Sequence, residues 1–305
     1  MITDGRPEML WERTDARVEL QRRFGFASAA AAATWVTRVL SEDYALRVTS
    51  LERLVISAYN LMVWVTTREA GRLMIKVCRL TAAHDSLSAR GALVRWLADR
   101  GLPVAAPLSN LSGDHQGLRD GRSLGVQPVL PGELLDADDL GQVRAAGEML
   151  ASLHVHLADW PQAGLLEHVR PVAGGGSGGH PAAPAELRSR LEQRARDLPE
   201  LPHQPVHADY RGANVLTRGQ EITGVVDFEE ARLDSAAVDV AHAVCLLGTW
   251  YHDWRPMTPR AQSEFLDSYT GRRPLTEAEQ TCLPPLIARG MLGLGWWDDA
   301  RRWLE

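Results

Sequence analysis

The hydrophobic pattern of the chain changes period after its first forty residues. Residues 7–40 are rich in helix formers, with a continuous alanine run at 29–33, and this composition predicts one or two helices. Three β-branched, partly alternating runs follow at 44–55, 60–67 and 72–79, separated by "ISAY" and "REAG". Runs of this kind joined by short polar turns predict an antiparallel meander.

An amphipathic helix and a further strand are predicted next. Residues 85–100 carry an apolar stripe at helical spacing, with Asp85 or Ser86 as the predicted cap and Gly101 just beyond the end. The run "SLGVQPVL" at 123–130 is strand-like and is followed by Pro131-Gly132. We therefore predict a domain boundary here, with one part at 1–130 and a second at 131–305.

The second part is predicted to be mainly helical. A helix is expected at 140–159, where His154 and His156 are two positions apart; they make a poor metal pair and are interpreted as ordinary helix residues. The glycine-rich stretch 171–184 predicts a flexible loop. It contains a G-x-S-x-G pattern around Ser177, but the strand and helix that a hydrolase elbow needs are not predicted beside it. Further helices are expected at 185–197, 235–250, 258–269, 275–289 and 291–304.

Composition and charge exclude several classes of protein. The 305 residues carry a net charge of −6 and a sequence pI near 5.9, so the chain has no overall basic field to attract nucleic acid. No run of 18 apolar residues is present, so no membrane span is predicted. Three cysteines lie far apart without metal-ligand spacing, as expected of a protein in a reducing cytoplasm. The oligomeric state is not predicted.

The strongest chemical signal is the pair of segments "PVHADYRGANVL" (205–216) and "GVVDFEEA" (224–231). They read His207, Asp209, Asn214 and, 18 residues after the first aspartate, Asp227. This is the H-x-D-x-x-x-x-N plus D-F spacing of a phosphoryl-transfer site. One carboxylate there accepts the proton of an attacking hydroxyl, while an amide oxygen and a second carboxylate hold Mg²⁺, a cation that prefers oxygen ligands. The flanking valines and leucine predict a hairpin that carries the ligands.

Three weaker signals lie in the first part of the chain. Lys76 is the only lysine, on a predicted strand where a kinase places its phosphate-binding lysine; the alternative is a solvated edge charge. The turn between the first two strands lacks glycine, but Ser57 and Asn60 offer donors to phosphate, with a plain hairpin turn equally compatible. The backbone from Gln127 to Val129 is a candidate adenine-binding hinge, against an ordinary edge strand.

With Lys76, "HADYRGANVL" and "VVDFEEA", nearly the whole chain resembles the aminoglycoside phosphotransferase and choline-kinase-like superfamily. Its tail, "GRRPLTEAEQTCLPPLIARGMLGLGWW", is similar to the homoserine-kinase branch. The resemblance implies an α+β, protein-kinase-like, two-lobed fold, with a small lobe built on a five-stranded antiparallel sheet and a mainly helical large lobe. It also implies ATP and Mg²⁺ as cofactors.

The resemblance further implies roles for single residues. Lys76 would hold the α- and β-phosphates, Asp209 would be the catalytic base, and Asn214 and Asp227 would ligate magnesium. His207 and Asp239 would brace the catalytic loop. One departure is Arg90, which occupies the place where the family has a glutamate partner for the lysine, so what anchors Lys76 is left open.

The leading functional hypothesis is an ATP-dependent kinase that phosphorylates a hydroxyl group of a small molecule. The expected small molecule is an aminoglycoside, an amino sugar or a related natural product. The alternatives are a homoserine- or choline-type metabolic kinase, a nucleotide-binding pseudokinase and, less favoured, a protein kinase. The acceptor is expected to bind where aromatic and acidic residues cluster after Asp227. These are Trp250, Tyr251, Asp253, Trp254, Trp296, Trp297, Asp298 and Asp299, together with Glu229 and Glu230, with core packing as the alternative for the tryptophans.

Overall fold

A computed structural model of the chain describes residues 6–167 and 182–305. The chain divides into two compact units, the first ending at Leu130 and the second beginning at Pro131. The Ser177 motif and most of the predicted 171–184 loop lie outside the described residues. No helix in the described part is both long and apolar enough to cross a membrane.

The first unit is built around a six-stranded sheet with three α-helices. Its elements in chain order are β1 (Glu8–Met9), α1 (Ala16–Phe24), α2 (Ala29–Tyr44), β2 (Val48–Ile56), β3 (Asn60–Thr67), β4 (Gly71–Cys78), α3 (His84–Ala98), β5 (Gly117–Arg119) and β6 (Arg122–Pro128). The strand order is β1-β2-β3-β4-β6-β5, with β1 parallel to β2 and every other pair antiparallel. Five strands were expected; the sixth is β1, two residues long and therefore without a periodic signal.

The alternation along the strands decides which side chains enter the core of this unit. Ile75 and Val77 of β4 are buried in one cluster with residues of α1, α2 and the neighbouring strands. Because successive side chains of a strand point to opposite faces, Lys76 lies on the other face of the sheet. It is paired with Met62 of β3 and Gly125 of β6, well inside the sheet and not at its edge.

Helix α3 begins differently from the prediction. A single 3₁₀ turn (Thr81–Ala83) leads into it, and the N-cap is Ala83, which provides no side-chain hydrogen bond. Asp85 and Ser86 therefore lie inside the first turn, and the Ser86 hydroxyl donates to the Ala83 carbonyl at 2.9 Å. The expectation that Asp85 or Ser86 caps the helix was wrong. The helix follows directly on the 3₁₀ turn and begins at His84, before both residues.

The second unit combines two small sheets with six α-helices among its described residues. The elements are β7 (Glu133–Leu134), α4 (Leu140–Ala158), α5 (Ala185–Arg194), β8 (Gln204–Val206), β9 (Val215–Arg218), β10 (Glu221–Val225), β11 (Arg232–Asp234), α6 (Ala236–Leu246), α7 (Pro259–Arg272), α8 (Glu277–Gly293) and α9 (Trp297–Leu304). One sheet has the order β10-β9-β7, and the other pairs β8 with β11. The predicted helices and the predicted β9–β10 hairpin are present.

Two long helices of the second unit, α4 and α7, pack at very short range. Gly147 of α4 makes this possible, because a Cβ at that position would lie 2.1 Å from Ser268 Oγ and 2.4 Å from the Phe265 carbonyl oxygen. α4 carries a buried apolar face that includes Val143, Leu150 and Leu153. The contact fixes the position of α4 next to the loops described below.

Candidate active site

Two antiparallel strand pairs, one of them a hairpin, bring the predicted catalytic residues of the second unit together. In the β9–β10 hairpin, Val215 is paired with Val225, so Asn214 just before β9 lies beside the residues just after β10. The Val226 amide donates to the Asn214 carbonyl at 2.9 Å. In the β8–β11 pair, Val206 lies opposite Arg232. The β9–β10 hairpin holds Asn214 beside the segment that carries Asp227, and the β8–β11 pair fixes the strand that leads into His207 and Asp209.

The Asn214 side chain orients Asp209. Its Nδ2 donates to Asp209 Oδ2 at 2.7 Å and to the Asp209 carbonyl at 2.9 Å. Because the amide nitrogen is bound to Asp209, the side-chain oxygen Oδ1 is the atom that can bind a ligand. No hydrogen bond to Oδ1 is present among the described residues. A neutral amide oxygen together with the Asp227 carboxylate is a donor set that fits Mg²⁺, which takes few protein ligands and keeps water or phosphate oxygens for the rest.

His207 is a buried structural residue. Its ring lies 4.4 Å from the Phe228 ring and 5.9 Å from the Tyr210 ring, centroid to centroid. Nδ1 accepts the Asp209 amide at 3.2 Å, which leaves Nε2 to donate to the Val226 carbonyl at 3.1 Å. Burial lowers the pKa of His207, so the imidazole is neutral. The contacts agree with the interpretation that His207 braces the loop.

The carboxylate of Asp239, on α6, binds the backbone of the loop that begins at His207. Oδ2 accepts the His207 amide at 2.9 Å, and Oδ1 accepts the Ala208 amide at 2.8 Å. Ala208 has a φ of 65°, in the left-handed region that a residue with a Cβ seldom adopts. The two hydrogen bonds therefore stabilise a strained backbone directly before Asp209. Asp227 has the same kind of backbone, with a φ of 67°.

His154 on α4 belongs to this buried network, which corrects its interpretation as an ordinary helix residue. The side chain is fully buried, with Nε2 3.0 Å from Asp239 Oδ2 and Nδ1 2.7 Å from the Tyr269 hydroxyl. Because an ionised carboxylate only accepts, Nε2 carries the proton and donates to Asp239. A signal for this was available, since His154 follows Ala146 and Leu150 on the apolar face of the helix.

The Asp209 carboxylate is influenced by charges of both signs, from Arg211 and from Asp227. Its partly buried position raises the pKa to about 7; Arg211 acts against this shift and the Asp227 carboxylate adds to it. Arg211 Nε lies 3.4 Å from Asp209 Oδ2. Arg211 was not singled out from the sequence, and its place two residues after Asp209 was the available signal.

An aromatic loop, defined here as residues 249–255, packs against the loop at 207–214 that carries the predicted base. A Cβ at Gly212 would lie 2.6 Å from the Leu247 carbonyl oxygen and 3.0 Å from Trp250 Nε1. The guanidinium carbon of Arg211 lies 5.9 Å from the Trp254 ring centroid. Trp250 and Trp254 remain 36% and 44% exposed, which is unusual for tryptophan. By contrast, Trp296 and Trp297 are half-buried around the start of α9.

In the first unit, Ser57 and Asn60 are neighbours in the β2–β3 turn. The Ser57 hydroxyl accepts the Asn60 amide at 3.0 Å. Gln127 is on β6 opposite Met74. The Val129 amide donates to the Arg72 carbonyl at 3.1 Å, so the Val129 carbonyl is the backbone group of that residue left for a base.

Arg90, at the position where the resemblance implies a glutamate, is buried on α3. It is 3% exposed, and its Nη1 donates to Ser86 Oγ at 3.1 Å. The sequence placed it on the margin of the apolar stripe; the structure puts it within the buried face, next to Leu87, Leu93 and Val94.

Comparison with known proteins gives one family and two groups of similar proteins. The model of a family described as "Phosphotransferase enzyme family" matches residues 50–277. A homoserine kinase of Gluconobacter oxydans (strain 621H) is 29% identical over 206 residues, covering 64% of each chain. A homoserine kinase of Rhodopseudomonas palustris (strain BisB18) is 29% identical over 233 residues, covering 72% of this chain and 69% of the relative. This chain thus spans about two thirds of the length of these curated relatives.

Solved structures share the fold at lower identity. An amicoumacin kinase, hAmiN, in complex with AMP-PNP, Ca²⁺ and amicoumacin ("Ami") superposes with a TM-score of 0.64 at 16% identity, covering 94% of both chains. The macrolide 2'-phosphotransferase MphH from Brachybacterium faecium gives 0.62 at 18% identity, covering 89% of this chain and 97% of the other. These likenesses confirm the predicted protein-kinase-like α+β fold, with an antiparallel-sheet part and a mainly helical part.

Proposed function

The chain belongs to the phosphotransferase enzyme family, and on that premise we propose that it transfers the γ-phosphate of ATP to a hydroxyl group of a small molecule. The observation that carries the proposal is the placement of Asp209. Its carboxylate is oriented by Asn214, partly exposed, and held on a backbone that Asp239 fixes. Such a carboxylate is preorganised to hold an incoming hydroxyl.

In this proposal Asp209 is the catalytic base. A hydroxyl that donates to Asp209 Oδ1 or Oδ2 is aligned for attack and gives up its proton as the bond to phosphorus forms. A pKa of about 7 suits that role, because general bases work best with a pKa close to the working pH. His207 is neutral and saturated by Val226 and Asp209, so it orients the loop and takes no proton.

Asn214 and Asp227 would hold Mg²⁺. The ion, when bound, neutralises charge on the transferring phosphoryl group. Asn214 would contribute Oδ1 because its Nδ2 is committed to Asp209, and Asp227, which follows the end of β10, would contribute its carboxylate. Within the described residues, no cluster of three His, Cys, Asp or Glu side chains could hold a metal, so oxygen ligands from nucleotide phosphates and water would complete the shell.

Nucleotide contacts are proposed for the first unit. Lys76 would bind the α- and β-phosphates from its position inside the sheet, and the turn with Ser57 and Asn60 would contact phosphate oxygens. The backbone of Gln127 and the Val129 carbonyl would face the adenine. These roles follow from the family, in which nucleotide binding is shared between such elements.

The acceptor is proposed to be a small molecule that carries an amine and a hydroxyl, such as an amino sugar or an aminoglycoside. The aromatic loop supports this, because its exposed tryptophans lie beside Gly212 and Arg211, close in sequence to Asp209, and provide a surface for a sugar ring or a cation. Asp253 of the same loop and Glu229 and Glu230 after Asp227 add negative charge.

Homoserine is the second candidate, favoured by the curated relatives that are named homoserine kinases. An amino acid needs a cation for its carboxylate. Arg255 is already held by Asp138 through two contacts of 3.0 Å, whereas Arg211 lies 3.4 Å from Asp209. Arg211 is the candidate that lies beside the proposed base, and Arg255 is the more exposed one.

A panel of acceptors, followed by Mg²⁺-dependent ADP release from the full chain, tests the proposal. The panel pairs each amino sugar with its neutral analogue and includes homoserine and choline. We expect ADP release to depend on one acceptor class and, for a cationic acceptor, its KM to rise with salt because the attraction is screened. ATP binding without turnover on any acceptor would favour the pseudokinase alternative, and equal KM values for aminated and neutral sugars at low salt would exclude the acidic, aromatic acceptor surface.

A further inference from the structure

The turn that joins β2 to β3 is closed tightly without any glycine. The Ser57 amide donates to the Asn60 carbonyl at 2.8 Å, and the Asn60 amide donates to Ser57 Oγ at 3.0 Å. In a glycine-rich phosphate loop the backbone approaches the ligand because no Cβ intervenes. Here Ser57, Ala58 and Tyr59 all carry a Cβ, so the turn needs another way to present its amides.

Two arginines from different elements hold the outer side of this turn. Arg23 of α1 donates from Nη1 to the Ser57 carbonyl at 2.9 Å. Arg79, just after β4, donates from Nε to the Ala58 carbonyl at 2.9 Å, and its guanidinium carbon lies 5.3 Å from the Tyr59 ring centroid. Two successive carbonyl groups of the turn are therefore fixed by cations.

Arg23 is itself rigidly placed. Its Nη2 lies 2.8 Å from Glu12 Oε1, its Nε is paired with Glu19, and its side chain is only 11% exposed. A guanidinium held by two carboxylates and largely removed from solvent keeps one orientation. α1 lies before residue 50, where the family match begins, so this support comes from the part of the chain that the match does not cover.

Peptide geometry links these contacts to ligand binding. No cis peptide bond is present in the described chain, and in a trans peptide the carbonyl and the following N–H point in opposite directions. Because the Ser57 and Ala58 carbonyls point to the arginines, the Ala58 and Tyr59 N–H groups point away from them. Neither N–H has a hydrogen-bond partner among the described residues.

We infer that Arg23 and Arg79 are positioning residues that fix the 57–60 turn so that the Ala58 and Tyr59 amides donate to phosphate oxygens of the nucleotide. The inference rests on the proposed function. A glycine-rich loop relies on flexible backbone, whereas here hydrogen bonds from two cations hold the carbonyl groups in one orientation. The two N–H donors are then preorganised, so less entropy is lost when the phosphate binds. The polarised peptide groups are also better donors.

The test measures equilibrium dissociation constants of the full chain for ATP, ADP and adenosine by calorimetry. Arg23→Gln and Arg79→Gln should each weaken ATP and ADP binding by about 10-fold, the size expected for a charged hydrogen bond, with adenosine affinity unchanged. Arg22→Gln is the matched control for Arg23: Arg22 also pairs with Glu19, at 2.6 Å, but is 65% exposed and makes no hydrogen bond to the turn. Arg68→Gln, an exposed arginine in the β3–β4 turn, is the control for Arg79.

Amide hydrogen exchange gives a second, direct readout. ATP, but not adenosine, should slow exchange at Ala58 and Tyr59 in the wild-type chain, and this protection should be smaller in Arg79→Gln. If Arg23→Gln does not fold, Arg79→Gln decides the question, since Arg79 is exposed. Wild-type ATP affinity in both variants, or an equal loss for adenosine, would overturn the inference alone. A wild-type chain that binds no nucleotide would overturn the proposed function as well.

Discussion

At the scale of residues, the buried carboxylate of Asp239 holds the backbone of the loop at 207–214 in place. One carboxylate accepts two loop amides and the imidazole of His154, and it is fully buried. Removing one partner of such a group leaves buried polar atoms without compensation, which is costly. Replacing Asp239 should therefore affect both folding and the backbone in front of Asp209.

For Asp239→Asn we expect the free energy of unfolding to fall by about 3–5 kcal/mol, because the amide NH₂ would face donors that now meet a carboxylate oxygen. Urea unfolding at neutral pH measures this loss. Asp197→Asn, the same change at an exposed position of the second unit, serves as the control and should be neutral. A loss below about 1 kcal/mol in Asp239→Asn would contradict the bracing role.

The same carboxylate predicts a pH dependence. Burial alone would raise the pKa of Asp239, but the hydrogen bond and charge of His154 outweigh it and lower the pKa to about 2. An unfolded aspartate has a pKa of about 3.9, so the unfolded state binds the proton first. The stability from this group is thus present above about pH 4 and is lost as the pH falls toward about 2.

The expected result is that the stability difference between wild type and Asp239→Asn narrows by about 1 kcal/mol between pH 5 and pH 3. Urea unfolding at both pH values measures it. Parallel stability curves across this range would mean that Asp239 keeps an ordinary pKa.

The sequence predicted these residues unevenly. His207, Asp209, Asn214 and Asp227 lie within 21 consecutive residues, so their spacing can be read directly from the sequence. Their proximity in the fold could therefore be anticipated. His154 could not be assigned its role, because its partners Asp239 and Tyr269 are 85 and 115 positions away and periodicity reports only the face of a helix. Val129 was predicted as part of the hinge, but which of its backbone groups is already bonded depends on strand register, and only the structure shows that its amide donates to Arg72.

At the scale of elements, the close contact between α4 and α7 positions the network from outside the loop. α4 supplies His154 and the Ala146 carbonyl, which accepts the Tyr210 hydroxyl at 2.9 Å, while α7 supplies Tyr269. The distance between these helices is set by Gly147, where any side chain would meet the α7 backbone.

Gly147→Ala should lower the free energy of unfolding by about 1–3 kcal/mol, because the added methyl group overpacks the crossing. Gly271→Ala is the matched control: it lies near the end of α7 with nothing within 4 Å of the new Cβ, so we expect no loss or a small gain from helix propensity. Thermal unfolding of both variants decides this. Equal melting temperatures would show that the helices move apart freely.

Element boundaries show what the sequence can and cannot predict at this scale. The long helices and the strands β2, β3 and β4 follow directly from their periodicity. The start of α3 did not, because a 3₁₀ turn has no distinct pattern of its own. β1 was missed because two residues pairing in parallel with β2 depend on tertiary contacts alone.

At the scale of the whole molecule, an acidic chain that uses ATP, as proposed, needs individually placed cations to bind it. A net charge of −6 provides no general attraction for ATP. In the first unit, Arg23 and Arg79 hold the carbonyls of the 57–60 turn, and Lys76 is the proposed phosphate ligand. In the second unit, Arg211 lies beside Asp209. Arg23 and Arg79 could be identified only from the fold, because their contacts to the turn join positions far apart in the sequence.

The central claim is that the chain is a phosphotransferase with Asp209 as its base, and transfer of labelled γ-phosphate from ATP to the best acceptor of the panel tests it most directly. Asp209→Asn keeps the size of the side chain but cannot take a proton, so turnover should fall by about 10²–10⁴ while ATP affinity stays within about twofold. The wild-type chain should lose transfer when Mg²⁺ is removed. Undiminished transfer by Asp209→Asn would contradict the account.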